Sequence, residues 1–131
     1  MNQYQSLLKE QDEKYDRLYE WESYRVLKVT DEGETYLKVF GAKSGGYSYP
    51  DQWRVNAGIT KVVYNDTHIA FFGYTGSVYV STIGEGRLSL YNQQKLNSFA
   101  GLSGVDLVEY DKLFDVLKEH GIEIEYVGEV V

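Results

Sequence analysis

The chain has 131 residues, enough for one hydrophobic core and too few for two, so a single domain spanning residues 1–131 is expected. Its 13 Lys and Arg against 20 Asp and Glu leave a formal charge of -7, which argues against gripping nucleic acid over the whole surface. Because cysteine is absent, disulfides, thiolate zinc sites, iron–sulfur ligation and thiol nucleophiles are excluded together.

Residues 1–10 carry neither a basic cluster nor an apolar stretch, and no apolar run approaches the roughly 20 residues needed to cross a bilayer. A soluble, cytoplasmic protein without a membrane partner is the expectation. In residues 4–20 the positions Tyr4, Leu8, Gln11, Tyr15 and Leu18 recur at spacings of four and three, opposite Lys9, Asp12, Glu13, Asp16, Arg17 and Glu20. This spacing predicts an amphipathic helix whose stripe packs on the domain's own sheet or forms a short homodimer seam.

From Tyr24 the period changes to two. Residues 24–30 and 36–40 flank Asp31-Glu32-Gly33-Glu34 and predict a β-hairpin. Residues 41–52 read as a loop with three glycines, two tyrosines and the only proline. Residues 53–64 follow as a strand interrupted at Gly58. A tight turn at Asn65-Asp66 leads into residues 68–81, one or two strands broken around residues 73–76, and residues 87–91 read as one more strand.

Near the C-terminus, Asp106 followed by Glu109 forms a capping-box pattern, and Leu107, Tyr110, Leu113, Phe114 and Leu117 share one helical face. Lys118 and His120 in the last turn, then Gly121, suit a helix C-terminus. Ile122, Ile124 and Tyr126 alternate with Glu123 and Glu125 as a strand. The sum is an α+β fold: a largely antiparallel sheet of five to seven strands with an N-terminal and a C-terminal helix.

The acidity is terminal. Residues 1–34 hold nine acidic and five basic side chains and residues 96–131 hold eight and two, while residues 35–95 hold only three acidic and six basic. A basic centre between acidic ends leaves room for a local anion site. No catalytic apparatus is apparent: His68 and His120 stand without a motif, the carboxylate pairs Asp111/Asp115 and Glu123/Glu125 look like exposed faces, and Gly41-Ala42-Lys43-Ser44-Gly45-Gly46 lacks the order of a Walker loop. A non-enzyme without metal or cofactor is expected.

The richest constellation is Lys43, Tyr47, Tyr49, Trp53, Arg54 and Asn56, together with Tyr74, Ser77 and Tyr79. Aromatic planes, cations and small hydrogen-bonding groups beside glycine turns can stack on and hydrogen-bond a nucleotide, or form an adaptable protein-binding surface. The alternative for Trp53 and Tyr79 is the core. The run W-R-x-N-x-G-I at residues 53–59, followed by G-S-V-Y at residues 76–79, resembles small uncharacterised proteins of phages and mobile elements. That resemblance implies an inhibitor acting inside a host cell by binding a host or defence-system protein. The alternative partner is a nucleotide-derived small molecule held in the Gly/Tyr/Arg centre.

Overall fold

The computed structural model describes residues 17–45 and 50–128. In chain order these form β1 (Arg17–Trp21), β2 (Ser23–Asp31), β3 (Glu34–Lys43), β4 (Gln52–Val55), β5 (Ile59–Tyr64), β6 (His68–Gly73) and β7 (Ser77–Thr82). Then come α1 (Leu90–Ala100), β8 (Val105–Val108), a 3₁₀ turn (Tyr110–Lys112), α2 (Leu113–Glu119) and β9 (Glu123–Tyr126). One sheet has the order β1-β7-β6-β5-β9 and the other β4-β3-β2-β8. In the first, β5, β6 and β7 are an antiparallel meander, to which β1 and β9 add as parallel edges. The second is antiparallel throughout.

The β2–β3 hairpin closes through Glu32 and Gly33, both at positive φ (51° and 82°), with Asp31 opposite Glu34. Two left-handed residues give the turn the twist of its strands, which is why a glycine sits there. The chain changes sheets at Glu22 and again at residues 56–58. At the second crossing Asn56 N–H donates to the Val39 carbonyl at 3.1 Å, and Asn56 Oδ1 accepts the Val39 N–H at 2.8 Å. A side chain thus completes the ladder that the departing backbone abandons, and residues 53–64 become two strands in different sheets.

Alternation of side chains places three apolar layers. Between the sheets lie Tyr24, Val26, Leu37 and Val39 against Ile59, Val62, Ile69, Phe71 and Tyr79, with Leu113 and Leu117 of α2 closing the cluster. Tyr19, Tyr79, Phe71, Val62 and Ile124 are consecutive cross-strand partners, a single row across all five strands of the first sheet. The far face of the second sheet presents Leu27, Phe40 and Ala42 to Leu96 of α1. On the far face of the first, Val63, Ala70, Phe72, Val78 and Val80 are buried, with Val127 against them. Full burial of side chains such as Phe71 stabilises by roughly 1.5–3 kcal/mol each.

The fold is mixed α and β and mostly sheet, with the expected hairpin and meander in place, but four expectations need correction. There are nine strands among the described residues, divided between two sheets, rather than five to seven in one. The expected N-terminal helix lies for residues 4–16 outside the described residues, and its last positions, Arg17, Leu18, Tyr19 and Glu20, are strand β1, which completes the edge of the meander. Residues 87–91 are not a strand: Ser89 caps α1, its Oγ accepting the Asn92 N–H at 3.2 Å. Asp106 does not cap a helix, because β8 pairs with the open edge of β2 and sets Asp106 opposite Lys28. The C-terminal helix begins at Leu113 and stops as expected, with His120 as cap and Gly121 at φ 70°. No helix among the described residues is long and apolar enough to cross a membrane.

Candidate functional site

β1 is an edge of one sheet and β4 an edge of the other, and the two edges meet at a shallow cleft of about 340 Å³ lined by Tyr19, Trp21, Asp51, Gln52, Trp53 and Arg54. Tyr19 and Trp21 alternate with outward Leu18 and Glu20, so strand period aims both rings toward the gap between the sheets. The two rings stack at 6.4 Å and 15°, and both rest on the buried Tyr79 at 5.3 and 5.8 Å. Register places Arg54 opposite Gly41 and Gln52 opposite Lys43, so these four positions share the cleft side of the sheet.

Two cations lie on these rings. Arg54 stands 4.5 Å from the centroid of Tyr19, and Lys43 Nζ stands 5.8 Å from that of Trp21. Such pairing holds a positive charge over an aromatic face at modest desolvation cost. Burial pushes the Tyr79 hydroxyl up to about 12, with Arg54 pulling it the other way. Trp21 Nε1 is buried with no hydrogen-bond partner among the described residues.

The loop leaving β3 is fastened beside the cleft at both ends. Glu22 accepts from the Ser44 N–H and hydroxyl at 2.8 and 3.0 Å. Asp51 accepts from the Gly45 N–H at 2.9 Å and from the Ser89 hydroxyl at 2.7 Å. The Ser89 and Gly45 hydrogen bonds hold the Asp51 carboxyl below its ordinary value of 3.8. One carboxylate therefore ties the loop to the start of α1.

The predicted site residues divide into three groups. Lys43 and Arg54 come together at the cleft, whereas Trp53 borders it but turns its ring to the opposite face of the sheet, between Phe40 (6.0 Å) and Phe99 (5.3 Å). Asn56, Ser77 and Tyr79 are buried and form the frame behind it, Asn56 with its carboxamide oxygen engaged by Val39. Tyr74 is exposed but does not line the cleft, its ring covering Gly58 instead. Tyr47 and Tyr49 lie outside the described residues. Sequence reasoning missed Tyr19, Trp21, Asp51 and Gln52, the first because it falls within the expected helix over residues 4–20.

Among the described residues no group of three or more His, Asp or Glu side chains is placed to hold a metal ion. Glu123 and Glu125 share one face as expected, both facing Lys61 Nζ at 3.9 and 3.6 Å. His120 Nδ1 sits 2.9 Å from the Val116 carbonyl at the end of α2. No family model matches the chain, and no curated protein or solved structure shows significant similarity to it.

Proposed function

We propose that this chain is a non-catalytic binding protein that engages a protein partner through the cleft at the β1 and β4 edges. One observation carries the reading: the stacked rings of Tyr19 and Trp21 converge with Arg54 at an open, shallow site. These residue types dominate the binding energy of protein interfaces, and their rigid rings lose little entropy on contact. An enclosed pocket, the usual form of a small-ligand site, is not what these residues line. The narrower reading, an inhibitor of a host or defence-system protein, rests on the resemblance at residues 53–59 and 76–79.

A second reading is favoured by the two ring-stacked cations, which suit a nucleotide-derived ligand carrying both a base and phosphates. The test compares the wild-type chain with Trp21→Ala and Arg54→Glu in pull-downs from host lysate, alongside calorimetric titration of mono- and dinucleotides. Enrichment of one protein by the wild type, lost in both variants, supports the protein partner. Tight nucleotide binding that Arg54→Glu abolishes would replace it with the second reading.

A further inference from the structure

β4 ends the four-stranded sheet beside the cleft, and among the described residues no strand pairs with its outer edge. One contact sets the phase of its hydrogen bonds. Asn56 N–H donates to the Val39 carbonyl, so in the β3–β4 register the bonded pairs are Val39 with Asn56, Gly41 with Arg54 and Lys43 with Gln52. The N–H and carbonyl groups of Trp53 and Val55 therefore point away from β3, along the open edge. Backbone groups aligned in this way are a template for a further strand.

The two faces of β4 differ in character. Trp53 and Val55 are half-buried and pack against Leu27, Phe40 and Leu96, whereas Gln52 and Arg54 are exposed on the cleft side. Arg54 stacks on Tyr19 and donates to the Tyr79 hydroxyl, which leaves further N–H donors of its guanidinium for another acceptor. Among the described residues neither Arg54 nor Lys43 forms an ion pair with a carboxylate. Asp51, which borders the cleft, is taken up by the Gly45 N–H and the Ser89 hydroxyl. In a chain of net charge -7, two cations without a carboxylate at one edge are complementary to an acidic partner.

On the reading that the cleft takes a protein partner, we propose that the partner contributes an extended acidic segment that adds antiparallel to β4. Its carboxylate side chain lies opposite Arg54, and its apolar side chains lie opposite Trp53 and Val55. Paired strands alternate in step, so the acid falls on the cleft face while the apolar residues extend the row of Trp53 and Val55. A second copy of this chain does not suit the edge: two β4 strands paired about a twofold axis set their Arg54 side chains against each other.

The test titrates the full ¹⁵N-labelled chain with a blocked hexapeptide, acetyl-Ser-Val-Glu-Val-Thr-Ser-amide. In the antiparallel register its valines face Val55 and Trp53 and its glutamate faces Arg54. Saturable shifts centred on residues 52–55 are expected, with the Trp53 and Val55 amide protons moving downfield as they gain hydrogen bonds. Lysine in place of the glutamate is expected to weaken binding about tenfold, and Arg54→Glu to reverse that preference. N-methylation of the second valine keeps every side chain, removes one edge hydrogen bond and is expected to weaken binding roughly tenfold. Val55→Pro removes an outward donor without breaking a bond to β3 and is expected to act alike, its fold checked by spectral dispersion. No saturable shift at millimolar peptide, shifts away from β4, equal affinity of the glutamate and lysine peptides, or full affinity of the N-methylated peptide would overturn the proposal. A host protein captured by the wild type and by Val55→Pro, but not by Trp21→Ala, would keep the cleft as the interface and remove strand addition.

Discussion

Trp21 sits directly over Gly41, so closely that a β-carbon on the glycine would overlap the indole ring. The glycine is the vacancy in β3 that lets a large ring from the edge of one sheet rest on the other, and Arg54 is its cross-strand neighbour. Gly41→Ala therefore forces Trp21 outward and opens the cleft. An overpacking cost of about 1–3 kcal/mol is expected, read from urea denaturation. Trp21 fluorescence in the variant should shift toward that of solvated indole, and an unchanged spectrum would show that the ring is not held by the glycine.

Asp51 joins the loop after β3 to the cap of α1, and acid should undo that junction. Its folded-state carboxyl lies below the ordinary 3.8, so its contribution is complete above about pH 4 and lost as pH falls through the lower folded value. Wild type and Asp51→Asn are expected to differ in stability at pH 6 and to converge near pH 2. Ser89→Ala removes both the cap and the Asp51 contact and should cost about 1 kcal/mol, in the range of other N-cap losses. A stability gap between wild type and Asp51→Asn that stays constant with pH would remove the carboxylate from this role.

Leu96 is the fully buried leucine of α1, against Leu27, Phe40 and Ala42, whereas Leu90 in the same helix is 77% exposed. Leu96→Ala should cost about 2–5 kcal/mol through lost contact and a residual cavity, and Leu90→Ala well under 1 kcal/mol. Similar melting temperatures for the two variants would contradict the packing of α1 on this sheet.

The same contrast explains why α1 was not legible in the sequence. Leu90 and Tyr91 open the helix on its exposed side, so the apolar residues form no stripe, and Arg87 to Tyr91 alternate as a strand would. The hairpin and meander were legible because each is made by neighbours in sequence with a one-sided apolar pattern. β1 and β8 were not, since both become strands by pairing with edges supplied from far along the chain, β7 and β2. At the cleft, Lys43 and Arg54 could be read from residue type, but Tyr19 and Trp21 join them only through a sheet crossing at Glu22 that leaves no local signature, and Trp53, read with them, turns its ring to the other face. Asn56 looked like a binding residue because a polar side chain near glycines reads the same whether it faces a ligand or completes a ladder.

His68 gives the fold a second pH dependence, in a higher window. The residue is buried at the start of β6, its Nδ1 2.9 Å from Thr67 Oγ1, and burial lowers its pKa from the ordinary 6.5. The unfolded chain then takes up this proton at a higher pH than the folded one. Stability is complete above about pH 7, begins to fall as pH drops past 6.5, and keeps falling until the folded-state value is passed. His68→Gln cannot titrate, so its stability should stay flat between pH 8 and pH 5 while the wild type declines. Urea midpoints across that range measure the difference, and parallel curves for the two proteins would exclude His68 as its source.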